Sequence, residues 1–307
     1  MRYSVSDFTA LIAVMDTAGR PEGWLCDGVM FVVIRDPSGR NFATWLGAPF
    51  ATGADWERYL DTLFDAGGAV ARLDSAVGLV ARTVGPPPHP FAASVVTLYP
   101  EAKAKTITFF GTPYPVSSTA GRIAVASAYV DSAAARFRTA AVAHLALDGF
   151  YWLHESVHGE EEHVVSGVAS RVHALGDRFL WVPFFSAWGV DRWRSMGFDE
   201  AWLQPNYFFH PELGLSRMDS AVARAMGNGM GLELEMDGRL FTRPADFGGR
   251  LTPYLDALDR SPGLARGPIV IYEGSGALPR LSKQRDPAHR QLYCRLVTSL
   301  WGPGARC

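Results

Sequence analysis

Short apolar runs alternate with segments of helical periodicity along the whole chain, and this alternation constrains the fold more than any other feature. Such a pattern is typical of a parallel sheet in an α/β protein, because each return to the same edge of the sheet needs a long crossover connection. The runs that we interpret as strands cover residues 8–15, 27–34, 93–99, 149–155, 178–185, 200–208, 231–236 and 268–273.

The segments between these runs have the spacing of helices. Residues 55–64 and 160–176 place apolar side chains three or four positions apart, as in a helix that packs on a sheet. A later helix, which Asp246 could cap, would carry on one face Phe247, Leu251, Tyr254 and Leu258.

Eight strands, each followed by a helix or a long connection, predict a single-domain (β/α)8 TIM barrel over residues 1–307. The long connections follow the second and third strands. In that region, residues 106–111 fit either an extra hairpin or the true third strand. An open, doubly wound sheet is the competing interpretation, although the sequence has no glycine-rich phosphate loop.

Composition narrows the classes of partner. The chain has 307 residues, of which 48% are hydrophobic, and its formal net charge is -2. This length supports a large core, and the small net charge gives no basic field that would attract nucleic acid or an anionic membrane. We therefore expect neither nucleic acid nor a membrane as a partner.

The predicted compartment follows from the N-terminus and the cysteines. Residues 1–20 lack the regions of a signal peptide, and no apolar run approaches membrane-spanning length. Cys26, Cys294 and Cys307 are widely scattered, which fits a reducing compartment. The sequence thus predicts a cytoplasmic protein, or a secreted one if a leader has been removed.

The stretch YWLHESVH contains His154, Glu155 and His158 in the His-Glu-x-x-His pattern of many zinc peptidases. That pattern binds zinc only when both histidines lie on one face of a helix. The aromatic and aliphatic residues before Glu155 favour a strand instead, and Gly159 favours a helix that starts later. We therefore keep a zinc site as an alternative and expect no metal.

In a strand interpretation, Glu155 lies at the carboxyl end of the fourth strand, where TIM-barrel enzymes keep their catalytic groups. Glu233 and Glu235 lie on one face of the seventh strand, with Glu235 nearer its carboxyl end. Two carboxyl groups at such positions favour glycoside hydrolysis, in which one donates a proton and the other attacks the sugar. We expect Glu235 to be the working group and Glu233 a supporting one; the opposite assignment stays open.

Several stretches resemble a bacterial family catalogued as domain of unknown function 4855, namely DGFYWLHES, FLWVPFFSAWG, AWLQPNYFF and GMGLELEMD. That family is similar to glycosidase TIM barrels. The resemblance implies an acid/base glutamate after strand four and a nucleophile after strand seven, which match Glu155 and Glu235. It also implies that His154 stands in place of the usual asparagine and that Tyr207 is the nearest candidate for a tyrosine that touches the nucleophile.

Other polar and aromatic residues at predicted strand ends are candidates for binding sugar hydroxyls or ring faces. Gln204 and Asn206 fall on one face of the sixth strand, and amides there either bind hydroxyls or bond loop backbone. The remaining candidates, each of which also fits a core, capping or salt-bridge role, are Tyr99, Tyr207, Tyr272, Asp16, Arg35 and Glu273.

Together these patterns predict a glycoside hydrolase that retains anomeric configuration, with Glu155 as general acid/base and Glu235 as nucleophile. A carbohydrate or glycoside would be the substrate, and we expect no metal or organic cofactor. The competing interpretations are a zinc hydrolase that uses His154 and His158, and a barrel that binds carbohydrate without cleaving it. The sequence leaves the sugar and the oligomeric state open.

Overall fold

The computed structural model describes residues 3–265, 267–302 and 307. The chain forms two compact units, each described by itself below. Unit 1 comprises Met1–Asp27, Arg72–Phe91 and Trp202–Cys307, and unit 2 comprises Gly28–Ala71 and Ala92–Ala201. The expected single domain stays a prediction.

Strands and helices alternate over most of the described chain. The strands are β1 (Ala13–Met15), β2 (Pro21–Trp24), β3 (Gly28–Phe31), β4 (Phe91–Thr97), β5 (Ile107–Phe109), β6 (Thr112–Tyr114), β7 (Leu145–Trp152), β8 (Arg178–Trp181), β9 (Glu200–Leu203), β10 (Gly231–Met236) and β11 (Ile269–Glu273). The helices are α1 (Val5–Ile12), α2 (Gly53–Phe64), α3 (Ala69–Val84), α4 (Thr119–Thr139), α5 (Glu161–Ala174), α6 (Ser216–Gly227), α7 (Arg239–Thr242), α8 (Pro244–Phe247), α9 (Thr252–Arg260), α10 (Pro262–Ala265), α11 (Ala277–Ser282) and α12 (Pro287–Trp301). Short 3-10 turns cover Thr44–Leu46, Ala102–Ala104, Val190–Met196 and Gly274–Gly276.

The main sheet has seven strands in the order β11-β10-β9-β8-β7-β4-β3. Parallel pairing joins β3 to β4, β7 to β8, β8 to β9, β9 to β10 and β10 to β11. The prediction of a closed (β/α)8 TIM barrel is therefore wrong, because this sheet ends at β3 and β11. The fold is mixed α/β, with two small antiparallel sheets, β1–β2 and β5–β6, beside the parallel one.

The missing eighth strand is the run predicted at 8–15, which folds mainly as α1. Ser4 caps this helix: its hydroxyl accepts from the N–H of Asp7, and the Asp7 carboxylate accepts from the N–H of Ser4. Only residues 13–15 are extended, and they pair with β2. The other seven predicted runs are confirmed as strands of the main sheet, and residues 106–111 contribute to the β5–β6 hairpin.

Each unit has an aromatic core. In unit 1, Phe208, Phe247, Tyr254 and Tyr293 are fully enclosed. In unit 2, the ring of Phe198 packs parallel to the indole of Trp181, with ring centroids 5.0 Å apart, and fully buried side chains include Trp56, Tyr129, Trp152 and Phe179. Such stacking fixes strand ends because large rings lose contacts if the backbone moves.

In unit 1, a disulfide joins Cys294 of α12 to Cys307, with the two Cα atoms 5.5 Å apart. Cys26 is not part of this disulfide. None of the described helices is both long enough and apolar enough to cross a membrane.

Candidate active site

Glu235 is the most enclosed carboxyl group of unit 1. It lies near the end of β10, and its side chain has 0% exposure. Its Oε1 accepts a hydrogen bond from the backbone N–H of Asn206 at 3.2 Å, and its Oε2 accepts one from the hydroxyl of Tyr254. The same hydroxyl accepts from the N–H of Phe208 at 2.9 Å, so the carboxyl group, the tyrosine and the backbone form one chain of hydrogen bonds.

Burial raises the pKa of Glu235 to about 7, because a charged carboxylate loses its hydration inside the protein. The hydrogen bonds from Tyr254 and from the backbone after β9 act in the opposite direction, since donors stabilise the ionised form. Burial and the neighbouring Glu235 also raise the pKa of Tyr254, which therefore remains a hydrogen donor. The site thus holds a carboxyl group that can ionise near neutral pH.

The turn after β9 has an unusual backbone conformation that directs its N–H groups to Glu235. Asn206 has a φ of 52°, in the left-handed region that asparagine tolerates better than most residues. Its side-chain amide donates to Oε1 of Gln204 at 3.3 Å. The structure therefore brings Gln204, Asn206 and Glu235 together, as expected for polar residues at the ends of neighbouring parallel strands.

Arg250 holds the same turn from its carbonyl side. Its Nε donates to the carbonyl oxygen of Tyr207 at 3.0 Å, and its other nitrogens reach the carbonyls of His210 and Pro211. The guanidinium also lies over the Tyr207 ring, 3.8 Å from the ring centroid. A buried guanidinium that satisfies several carbonyls fixes the path of the backbone from 207 to 211.

Sequence reasoning missed the two residues that organise this site. It named Tyr207 as the candidate tyrosine, whereas Tyr254 of α9 makes the bond to Glu235 and the Tyr207 ring packs against Arg250. A signal for Tyr254 was present, because a tyrosine on an apolar helix face needs a partner for its hydroxyl. We found no comparable sequence signal for Arg250.

The other candidates of unit 1 lie on neighbouring strands. Glu233 shares the face of Glu235 on β10 and is 7% exposed. Tyr272 of β11 stands in register with Glu235, is 37% exposed and packs edge-on against Phe209. Tyr272 is therefore at the same edge of the sheet as Glu235, whereas Glu233 lies nearer the middle of β10 on the same face.

Asp16 and Glu273 have local bonding roles in unit 1. Asp16 closes the turn between β1 and β2 by accepting from the N–H groups of Ala18 and Arg20, both at 2.8 Å. Hydrogen bonding from the Arg20 backbone lowers the pKa of Asp16. Glu273 accepts from the Tyr3 hydroxyl and from the N–H of Leu278, and burial raises its pKa to about 7.

In unit 2, β7 ends at Trp152 and the HESVH segment follows it without forming a helix. Glu155 is half-buried in this segment, three residues beyond the strand. The expected later helix start is confirmed, since α5 begins at Glu161. His154 and His158 consequently lack the shared helical face that the zinc motif needs.

His154 has a defined tautomer. Its Nδ1 lies 2.6 Å from the carbonyl oxygen of Ser156, which can only accept a hydrogen bond, so Nδ1 carries the proton. Burial lowers the pKa of His154, which favours the neutral ring. In that state Nε2 is a hydrogen-bond acceptor directly beside Glu155 in the chain.

Tyr99 links His154 to a second carboxyl group of unit 2. Its ring stacks on the imidazole with centroids 4.2 Å apart, and its hydroxyl donates to Glu161. Arg122 lies 4.9 Å from the centroid of the Tyr99 ring and 3.5 Å from Oε1 of Glu161. Burial raises the pKa of Glu161 to about 7, and sequence analysis did not select this residue.

Arg35, the remaining candidate of unit 2, has a local partner. Its Nε donates to the side-chain oxygen of Asn41 at 2.8 Å, within the loop that follows β3. This contact orders the loop around Asn41. Among the residues that the structure describes, no group of three histidine, cysteine, aspartate or glutamate side chains has the arrangement of a metal site.

The family model described as "Domain of unknown function (DUF4855)" matches residues 1–298, nearly the whole chain. No curated protein matches the chain.

Proposed function

Since the chain belongs to the DUF4855 family, whose description states no activity, we propose from the site itself that it is a glycoside hydrolase with a two-carboxylate, retaining mechanism. Glu235 is its nucleophile and Glu155 its general acid/base in this proposal. The substrate is a carbohydrate or glycoside, and no cofactor takes part. Each role rests on the surroundings of that residue within its own unit.

The observation that carries the proposal is the bonding of Glu235. An enclosed carboxylate costs several kcal/mol unless donors compensate it, and here Tyr254 and Asn206 supply donors to its two oxygens. Ligand sites of open α/β sheets lie at the carboxyl ends of the strands, where Glu235 stands. The amides of Gln204 and Asn206 beside it are groups that hold sugar hydroxyls.

The proposed reaction needs an ionised nucleophile. The Glu235 carboxylate attacks the anomeric carbon, and the bond to the leaving oxygen breaks as Glu155 gives that oxygen its proton. Water then hydrolyses the glycosyl ester after losing a proton to Glu155, which restores both groups. With its pKa raised to about 7, Glu235 exchanges its proton near neutral pH, and the donors from Tyr254 and Asn206 favour the ionised form.

Glu155 fits the acid/base role through its position after β7. Its half-buried side chain and the neutral His154 beside it favour a carboxyl group that exchanges protons with a reacting molecule. Glu233 is the alternative nucleophile, because it is 7% exposed whereas Glu235 is fully enclosed.

Covalent trapping tests the nucleophile. The chain is first assayed with aryl glycosides and linear oligosaccharides of both anomers, and then incubated with 2-deoxy-2-fluoro glycosides of the sugars that it cleaves. We expect one equivalent of label, mapped by peptide mass spectrometry to Glu235. Label on Glu233 reverses the assignment, and absence of hydrolysis across the panel contradicts the proposal.

Substitution of Glu155 tests the acid/base. Glu155→Gln should slow hydrolysis of glycosides with poor leaving groups by roughly 100-fold or more, while dinitrophenyl glycosides lose much less in the first step. The control is Glu160→Gln, an exposed glutamate of the same loop. Equal losses for both leaving groups would assign Glu155 a structural role.

The compartment is a separate part of the proposal. The sequence predicts the cytoplasm, whereas the bond between Cys294 and Cys307 favours an oxidising compartment, since cytosolic thiols are generally kept reduced. We favour the oxidising compartment, which also suits an enzyme that acts on an external carbohydrate. Fractionation of the producing cells, with the chain found only in the cytoplasmic fraction, would contradict this.

A further inference from the structure

Unit 2 exposes two indoles at the segment that contains His154 and Glu155. Trp188 is 68% exposed and Trp45 is 44% exposed. Exposing so much apolar ring to water is unfavourable, and large aromatic side chains with that exposure commonly mark binding surfaces. Neither residue was selected from the sequence.

The backbone of Trp188 is bonded to the segment after Glu155. Its N–H donates to the Ser156 hydroxyl at 3.1 Å, and its carbonyl accepts from the N–H of Val157 at 3.1 Å. Gly189 follows with a φ of 87°, and a Cβ at that position would lie 2.9 Å from the carbonyl oxygen of Val157. Only glycine fits this turn, so Trp188 is held at a fixed place beside the segment.

Trp45 stands on a similarly fixed turn. It lies in the 3-10 turn Thr44–Leu46, which Gly47 ends with a φ of 83°. The buried side chain of Asn41 donates to the carbonyl of Gly47 at 2.8 Å. The Trp45 ring meets the His154 ring edge-on, with centroids 6.1 Å apart. The Trp45 ring and the Trp188 backbone therefore both adjoin residues 154–157.

Polar groups lie on the same segments. His154 and Ser156 offer hydrogen-bonding atoms, and Arg192 of the 3-10 turn Val190–Met196, which begins shortly after Trp188, pairs with Glu162 at 2.7 Å. A face that combines exposed aromatic rings with hydrogen-bonding groups matches the surface of a saccharide, whose rings carry apolar C–H faces and polar edges. A protein partner would instead favour a continuous apolar patch.

We propose that Trp45 and Trp188 are stacking residues for the pyranose rings of an oligosaccharide that binds along the segment 154–157. Two separate indoles imply that saccharides of two or more rings bind more tightly than the matching monosaccharides. This inference deepens the proposed function by naming its substrate class. It rests on that function for the cleavage of the bound oligosaccharide, whereas the binding itself can be tested separately.

Binding is measured by calorimetry in the full chain carrying Glu155→Gln, so that ligands are not consumed. The probes are linear oligosaccharides of two to six hexose, pentose or N-acetylhexosamine units, α- or β-linked, together with their monosaccharides. We expect tighter binding with length, and a loss of tenfold or more for Trp45→Ala and for Trp188→Ala. Trp188→Phe should retain part of the affinity because it keeps a ring.

The matched control is Trp301→Ala, which removes an indole of α12 that is 53% exposed in unit 1 and should not change binding. Thermal melts establish that each variant folds. No binding by any probe, or equal binding by all variants, overturns the proposal. Loss of self-association in the two variants, without an effect on saccharides, would show that the indoles bind a second copy instead.

The two proposals fail in different ways. If the chain binds oligosaccharides through Trp45 and Trp188 but hydrolyses none, the stacking site is supported and the hydrolase function is contradicted. If the chain hydrolyses saccharides and KM is unchanged in both tryptophan variants, the hydrolase function is supported and the stacking site is contradicted.

Discussion

The hydroxyl of Tyr254 donates a hydrogen bond to the carboxylate of Glu235 and accepts one from the backbone N–H of Phe208. One side chain of α9 therefore connects the end of β10 to the turn after β9. Because the hydroxyl oxygen accepts the hydrogen bond from the N–H of Phe208, the hydroxyl hydrogen is directed to Glu235. The bond thus stabilises the ionised carboxylate that the proposed mechanism requires.

Removing this donor should shift the pH dependence of activity. Tyr254→Phe takes away a hydrogen bond that lowers the pKa of Glu235, so that pKa rises further above about 7. A hydrogen bond to a charged group contributes roughly 1.5–3 kcal/mol, which corresponds to about one to two pKa units. In a profile of kcat/KM against pH, the rising limb should move to higher pH by about that amount.

Tyr293 provides the control for this change. It is also a buried tyrosine of unit 1, and its hydroxyl accepts from the N–H of Met15 at 2.9 Å. Tyr293→Phe should lower stability without moving the rising limb. If both variants move the limb equally, the effect is a general one on the fold and the specific role of Tyr254 is refuted.

The raised pKa of Glu235 also predicts how stability depends on pH. In the folded state the Glu235 carboxyl group keeps its proton up to about pH 7, whereas in the unfolded chain it releases the proton near pH 4.5. The group therefore contributes its full stabilisation below pH 4.5 and loses it as the pH rises to about 7. At roughly 1.4 kcal/mol per pKa unit, the loss amounts to roughly 3 kcal/mol across that window.

Glu235→Gln removes this dependence because glutamine does not ionise. Urea melts of both proteins at pH 4.5 and pH 7.5 should show the wild type losing about 3 kcal/mol relative to the variant. Glu160→Gln, at an exposed position, should follow the wild type. Parallel curves for the wild type and Glu235→Gln would mean that Glu235 ionises normally in the folded chain.

Much of the fold could be predicted because strand periodicity is local. The β10 prediction, 231–236, matches the observed strand, and Glu235 is at its end as expected. The strand prediction for residues 8–15 was wrong because Ser4 and Asp7 cap the start of a helix, and the apolar residues of that helix fit a strand pattern equally well. With that strand absent, the inference of barrel closure failed too, since it rested on a count of eight.

The site was less predictable because its contacts are distant in sequence. Tyr254 was assigned to a helix face, but its bond to Glu235 depends on how α9 packs on the sheet. Arg250 has no local pattern at all, and its partners at 207, 210 and 211 precede it by about 40 residues. Periodicity specifies which face is buried and not which buried polar atoms meet.

The cysteines give a prediction that needs no substrate. With Cys294 and Cys307 joined, the unfolded, unreduced chain should take up one alkyl group, at Cys26, and the reduced chain three. Intact mass spectrometry counts these groups. A disulfide that closes a loop of this length stabilises a fold by roughly 2–4 kcal/mol, so reduction should lower the melting temperature. Three alkyl groups without reductant would instead support the reducing compartment expected from the sequence.

Arg250 should influence Glu235 through the turn that lies between them. Arg250→Met removes the guanidinium donor from the carbonyls of Tyr207 and His210, which keep only backbone hydrogen bonds. A lost hydrogen bond to a charged group costs roughly 1.5–3 kcal/mol. The turn then no longer holds the N–H of Asn206 against Glu235, so the pKa of Glu235 rises. We expect lower stability and a rising limb of kcat/KM moved to higher pH, with KM changed much less than kcat.

Two further variants separate positioning from charge. Arg250→Lys keeps the cation but cannot reach several carbonyls with a planar fork, so it should restore only part of the profile. Arg243→Met removes an arginine that pairs with Asp246 at 2.5 Å in the preceding segment and is largely exposed. It should leave the limb in place. A complete rescue by lysine would show that Arg250 acts through its charge alone, and an unmoved limb in Arg250→Met would show that the turn keeps its N–H groups on Glu235 without it.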